Sequence, residues 1–406
     1  MRHLKFFRPR SSGEPPFSER ILATDEPCIV QMQRMLAGTS DTISLAQGIV
    51  HWQPPEGALV AASQALRTPL ASAYCADDGL PELRTALEKK LVKENGLNSS
   101  GVMITAGANQ AFMNLVLTLL EEGSGAVLFA PYYFNHLMAL QMTGADVVIN
   151  SLTPELQPDL EILEKALKRP NMRMVVICNP CNPTGVIVPT ETLEKAAEMC
   201  KEAGVWLIVD NTYEYFTYDG VEHTCVEAPH VINIFSFSKA YGMMGWRVGY
   251  LAYSKEREGL LDQLLKAQDT IPICPPVLSQ IVALKAHQLA GRTWVKERVK
   301  ALEHNRQVVR SALEPLGEGA AGAQCQNGAI YMWVKLPEGC EDDKKVVEWL
   351  AKKHSICLIP GSSCGLPGHV RVAFANMPRE QCAVAAQRLK AGLSDLVAGG
   401  MAANGK

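Results

Sequence analysis

Ser236-Phe-Ser-Lys239-Ala-Tyr-Gly-Met-Met-Gly-Trp-Arg247-Val-Gly249 joins two apolar runs, Val231–Ser236 and Val248–Tyr253. Each run has strand length, and both are continuous rather than alternating, as expected of strands buried on both faces. The joining segment therefore leaves one strand end with two serines and a lysine. It returns an arginine at the start of the next strand. Upstream, Val102–Ala106, Ala126–Ala130, Val147–Asn150, Met174–Asn179 and Val205–Asp210 are further short apolar runs. Helical patterns lie between several of them. Pro81–Asn95 carries Leu83, Ala86, Leu87 and Leu91 on one stripe, begins on a tolerated first-turn proline and stops at Gly96. Thr190–Ala203 has Thr190 as its expected N-cap and Gly204 as its terminating glycine. This alternation implies an α/β fold with a mostly parallel sheet.

Outside this core the texture differs. Residues 1–42 show little periodicity and read as an arm or small-domain segment. Residues 43–290 form the large α/β unit, and residues 291–406 read as a smaller α+β domain. In the latter a long helical stretch, Thr293–Leu313, precedes the short strands Ala329–Val334 and Val370–Ala375. An amphipathic helix, Pro378–Val397, closes the unit, and the Gly/Ala-rich tail Ala398–Lys406 is expected to fray.

A chain of 406 residues with 47% hydrophobic and 20% charged residues is globular and long enough for two domains. Its formal charge of -3, with no long basic run, argues against nucleic acid as a partner. No apolar run has the length of a membrane span. The 12 scattered cysteines suit reduced thiols in a cytoplasmic compartment. Met1–Arg10, with four basic residues and no acid, is the one hint of organelle import. Cys178 and Cys181 form a CxxC without a second ligand pair, so no metal site is expected.

In an open α/β sheet, ligands bind beyond the carboxyl ends of the strands. Gly107-Ala-Asn-Gln-Ala-Phe112 follows the first run and opens a helix, whose free N–H groups suit an anion. Pro180-Cys-Asn-Pro-Thr-Gly185 follows another, and a third ends in Asp210-Asn-Thr-Tyr213. Together with Ser236, Ser238, Lys239 and Arg247, this edge gathers groups that suit a phosphorylated aromatic aldehyde. Serine, arginine and helix N–H groups bind phosphate, a buried carboxylate keeps a pyridine nitrogen protonated, and a lysine condenses with an aldehyde.

The runs Asn179-Pro-Cys-Asn-Pro-Thr-Gly185, Asp210-x-x-Tyr213 and Ser236-Phe-Ser-Lys239-(x)7-Arg247, in this order, resemble the signature of the fold-type I, pyridoxal-phosphate-dependent aminotransferases of class I/II. Leu45-Ala-Gln-Gly48, Tyr74-(x)4-Gly79-Leu-Pro-Glu-Leu-Arg84 and Pro360-Gly-Ser362-(x)8-Arg371 match as well, so the similarity spans residues 43–380. Val50–Pro55, Ala130–Phe134, Asp210–Phe216 and Lys239–Trp246 resemble the plant-type aromatic aminotransferases, which use methionine or aromatic amino acids with 2-oxo acids such as indole-3-pyruvate.

The resemblance implies a seven-stranded large domain binding pyridoxal 5′-phosphate, and a role for each residue. Lys239 would carry the Schiff base and shuttle the proton. Asp210 would pair with the pyridinium, and Tyr213 and Asn182 would bond the phenolic oxygen. Ser236, Ser238, Arg247 and the N–H groups of Ala108 and Asn109 would hold the phosphate. Tyr133 would stack on the ring, with Tyr132 as the competing choice. Arg371 and Gly48 would receive the substrate carboxylate, and Trp52 and Ile49 would line the side-chain pocket. Tyr74 would reach the phosphate of a neighbouring subunit, implying a homodimer. His136, Met243 and Met244 read as core. The alternative chemistry on the same lysine is a β-lyase or aminocyclopropane-carboxylate-type lyase. A regulator would need an added DNA-binding module that the short N-terminal segment does not supply. Nucleotide binding is disfavoured, because Gly242-Met-Met-Gly245 and Gly249 lack GxGxxG spacing and no GxxxxGK[ST] occurs.

Overall fold

The computed structural model describes residues 17–38 and 41–402. The basic segment Met1–Arg10 lies outside the described residues. All seven expected strands of the large unit form, in one sheet. Its spatial order is Ser100–Thr105, Gly249–Ser254, Val231–Ser236, Trp206–Asp210, Met172–Cys178, Gly125–Ala130 and Asp146–Ser151. Gly249–Ser254 runs antiparallel to both neighbours, and the other pairings are parallel.

The absence of alternation in the strands has the expected cause. In Met172–Cys178, Met174 and Val176 pack into one core, whereas Val175 and Ile177 pack into the other. Helix Ala108–Leu119 contributes Phe112, Leu115 and Val116 to the first core. Helix Thr190–Ala203 contributes Leu193, Ala196 and Cys200 to the second. Burying such a side chain is worth about 1.5–3 kcal/mol for the larger aliphatics, so a sheet covered on both faces holds its strand ends rigidly.

The smaller unit has a three-stranded antiparallel sheet ordered Ile359–Pro360, His369–Ala373, Tyr331–Lys335. Helix Arg379–Gly399 packs on helices Glu303–Ala312 and Asp343–His354. The two-residue strand Ile43–Ser44 pairs in parallel with Ile356–Cys357.

Four local expectations are corrected. Thr190 is the first helical residue rather than the cap, because the carbonyl of Pro189 already receives the N–H groups of Thr192 and Leu193. The Thr190 hydroxyl is spent on that of Thr224 at 2.8 Å. Thr293–Leu313 is two helices, Gly291–Ala301 and Glu303–Ala312, meeting at Leu302. The arm contains helix Cys28–Met35, which buries Cys28 and Met32 one turn apart. The tail remains helical to Gly399 and ends in a short 3-10 turn, Gly400–Ala402; residues 403–406 lie outside the described residues.

Candidate active site

The carboxyl ends of the sheet strands open onto a cavity of about 280 Å³. Gly48, Ala108, Asn109, Tyr133, Asn182, Asp210, Tyr213, Ser236, Ser238, Lys239, Arg247 and Arg371 all line it, as does Ile49.

Asp210 ends its strand and is buried. One carboxylate oxygen faces His136 Nε2 at 3.2 Å. The other accepts the Thr212 N–H at 3.0 Å and the Thr212 hydroxyl at 2.6 Å. Burial opposes ionisation of this carboxyl, but hydrogen bonds and charge from His136 and Thr212 outweigh it and hold its pKa below the usual value. His136 Nδ1 lies 3.9 Å from Cys178 Sγ. These three residues are the one cluster of potential metal donors among the described residues, with their atoms within 4.8 Å of one another. Cys181, the other half of the CxxC, is not in it.

Lys239 stands three residues beyond its strand. Burial, with the positive charges of Arg247 and Arg371, lowers its amine to about 8. Among the described residues it has no carboxylate partner. Arg247 is equally unpaired by acid: Nη1 donates to the Met244 carbonyl at 2.9 Å and Nη2 to that of Ala106 at 3.4 Å. Its guanidinium passes over Gly107, where a β-carbon would sit 2.5 Å from Nη2. Gly107 also has φ +87°, a conformation costly to other residues. The glycine thus lets the arginine approach the start of helix Ala108–Leu119, whose first-turn N–H groups have no intrahelical acceptor. Ser236 Oγ accepts the Ser238 N–H at 3.1 Å.

Arg371 comes from the smaller unit and is fully buried. It donates to Asn182 Oδ1 at 2.8 Å and to the Ala46 carbonyl at 2.7 Å, while its Nε has no partner among the described residues. Three cations therefore face this cavity against one carboxylate, which makes it a site for anions.

The two adjacent tyrosines pack differently. Tyr133 faces the cavity, with its hydroxyl on Asn109 at 3.3 Å and on Asn135 at 2.9 Å. Burial raises this phenol to about 12. Tyr132 instead packs on Gly365, where a β-carbon would lie 2.4 Å from its ring.

Two expected residues lie off the cavity wall. Trp52 donates Nε1–H to the Ala240 carbonyl at 3.3 Å and stacks on Phe216, so it is a core residue. Tyr74 is 78% exposed on the outer surface of the chain.

Others were missed. Tyr331 lines the cavity and meets Tyr213 hydroxyl to hydroxyl at 2.5 Å. Burial, then Tyr331, raises the Tyr213 phenol well above its usual value. Ile29, Gln47, Phe134 and Thr212 also face the cavity. His136 reads as core but holds Asp210; its position in helix Phe134–Thr143, two residues past the Ala130–Phe134 motif, is the available signal.

Residues 40–389 match the model of the family Aminotransferase class I and II. The aromatic aminotransferase ISS1 of Arabidopsis thaliana is 50% identical over 389 residues, covering 95% of this chain and 98% of that protein. The aspartate/prephenate aminotransferase of Thermus thermophilus is 29% identical, covering 83% and 87%. A crystal structure of a Thermus thermophilus aspartate aminotransferase single mutant superposes with a TM-score of 0.84 at 27% identity, covering 93% of this chain and 100% of the other. The chain belongs to the class I and II aminotransferases. It is an aminotransferase of the fold-type I architecture, in a family that generally depends on pyridoxal phosphate, acts on amino acids and 2-oxo acids, and is typically dimeric. Among the described residues no helix is long and apolar enough to cross a membrane.

Proposed function

We propose that this cavity holds pyridoxal 5′-phosphate and exchanges an amino group between an aromatic or methionine-type amino acid and a 2-oxo acid. The observation that carries this reading is the convergence of Lys239, Arg247 and Arg371, none with a carboxylate partner among the described residues, on a cavity whose one carboxylate is Asp210.

The residues fit the cofactor group by group. Arg247, Ser236, Ser238 and the N–H groups of Ala108 and Asn109 form the phosphate cradle, with Gly107 leaving room for it. Asp210 holds the pyridine nitrogen protonated. Tyr213 and Asn182 bond the phenolic oxygen, and Tyr133 lies against the ring. When bound, the cofactor supplies an aldehyde that condenses with amines and a ring that delocalises the electrons of a deprotonated α-carbon. Lys239 provides the resident amine. Once free, its Nζ would take up and carry the substrate Cα proton. A lowered pKa leaves a useful fraction of that amine neutral for this work. Arg371 clamps the substrate α-carboxylate from the smaller unit, beside Gly48.

For the side chain, Ile29, Ile49, Phe134 and Tyr331 offer apolar and aromatic surface. The three lining cations all have roles already, which leaves none among the described residues of the cavity wall for an acidic side chain. The Arabidopsis relative's name supports the same class. In this reading residues 43–290 hold the cofactor, residues 291–406 bring Arg371, and the described part of residues 1–42 completes the smaller unit. Exposed Tyr74 reaches the phosphate of a second copy in a homodimer. All twelve cysteines are free thiols, which supports a reducing, cytoplasmic setting.

The test is amino exchange by the purified holoenzyme, with tryptophan, phenylalanine, tyrosine, methionine or aspartate as donor and indole-3-pyruvate or phenylpyruvate among the acceptors. Exchange favouring the aromatic and methionine donors is expected. Release of ammonia and elimination products without exchange would establish a lyase instead.

A further inference from the structure

We propose that Tyr331 is a positioning residue: its hydroxyl donates to that of Tyr213, aims the Tyr213 proton at the cofactor's phenolic oxygen, and thereby tunes the proton affinity of the nitrogen that joins Lys239 to the cofactor. The inference rests on the roles of Lys239 and Tyr213 proposed above.

The two hydroxyls are 2.5 Å apart, and the rings meet edge to face at 5.5 Å between centroids. Both side chains are buried. Tyr213 follows a strand of the large sheet, whereas Tyr331 opens a strand of the small one, so the bond crosses between the units. Two further features keep Tyr331 in place. The Arg371 guanidinium carbon lies 4.3 Å from its ring centroid. At Gly48, a β-carbon would lie only 1.8 Å from the Tyr331 oxygen. The glycine therefore makes room for this hydroxyl as well as for a substrate carboxylate.

The direction of the bond follows from its competitors. Either phenol could donate to the other in isolation. A negatively charged oxygen in the cavity is the stronger acceptor, so Tyr213 gives its single proton to that oxygen. The Tyr213 oxygen is then left to accept, and Tyr331 is the donor that reaches it. A donor behind Tyr213 polarises it and strengthens its own donation. Stronger donation stabilises negative charge on the phenolic oxygen and so favours the deprotonated form of the neighbouring nitrogen.

The experiment is a pH titration of the visible absorbance of the bound cofactor, without substrate, in wild type, Tyr331→Phe, Tyr213→Phe and the double variant. Phenylalanine keeps a ring over Arg371, so packing alone should leave the titration unmoved. The expected result is an upward shift of the midpoint by at least about 0.3 unit in Tyr331→Phe. In the Tyr213→Phe background the second substitution should add nothing. An unchanged midpoint in Tyr331→Phe, or the same shift in both backgrounds, would overturn the inference and leave the cofactor reading standing. A wild type that does not bind the cofactor would overturn both.

Discussion

His136 Nε2 stands 3.2 Å from the Asp210 carboxylate, and both side chains are buried. This contact helps keep the carboxyl ionised against the cost of its burial. Replacing His136 by Phe removes it while filling the space against Phe112, whose ring centroid is 4.3 Å away. A hydrogen bond to a charged group is worth about 1.5–3 kcal/mol, which corresponds to roughly ten- to hundredfold in rate. The expected outcome for His136→Phe is a fall of that size in kcat with a smaller change in KM, measured by steady-state kinetics.

Lys239 carries a signed pH dependence. Between about 8 and the ordinary 10.5 the unfolded chain holds a proton on this amine that the folded chain lacks. Raising the pH through that window therefore stabilises the folded apoprotein, and lowering it withdraws the gain. The neutral amine is also the reactive form. Capture of added pyridoxal phosphate by apoprotein should speed up about tenfold per pH unit below this pKa and level off above it, as followed by absorbance in stopped flow. Borohydride reduction and peptide mapping should place the adduct on Lys239, and Lys239→Ala should yield no adduct and no turnover.

Arg371→Lys keeps the charge and loses the planar fork. KM should rise for amino donors and 2-oxo acceptors alike, by roughly ten- to hundredfold for the loss of one charge-assisted bond. A rise for only one of the two substrates would remove Arg371 from the shared carboxylate site.

What the sequence disclosed followed from chain-local chemistry. Strand ends carrying Asp210, Ser236 and Lys239 were legible because buried strands announce themselves as apolar runs, and the residue after each run must face the open edge. Tyr331 was invisible in this way. It lies far along the chain, in a second sheet, and nothing local distinguishes it from a core tyrosine. Trp52 failed for the converse reason: its motif neighbours reach the cavity, but its indole N–H is claimed by the Ala240 carbonyl. Helix Cys28–Met35 was too short to show a period, having only two buried residues.

Tyr74 gives a test of assembly. Sedimentation should show a homodimer, and Tyr74→Phe should weaken cofactor retention by roughly tenfold, as expected for one lost hydrogen bond to a charged group, without changing the circular dichroism. Unaltered retention would assign the exposed ring to the surface alone.

Glu214, the neighbour of Tyr213, pairs with Lys90 at 2.5 Å, with side-chain exposures of 8% and 2%. The ammonium also lies 4.6 Å from the Phe235 ring centroid, beneath the strand that leads to Lys239. Removing the acid strands a buried cation. Glu214→Gln should lower stability by roughly 3–5 kcal/mol, read from the urea midpoint at constant slope.

The parallel pairing of Ile43–Ser44 with Ile356–Cys357 has a consequence for biosynthesis. The ribosome delivers Ile43–Ser44 roughly 300 residues ahead of Ile356–Cys357. The early strand must wait, unpaired, while the intervening sheet is made. Tyr331 and Arg371 emerge in the same late interval, so a nascent polypeptide can complete its seven-stranded sheet well before it can recognise an amino acid.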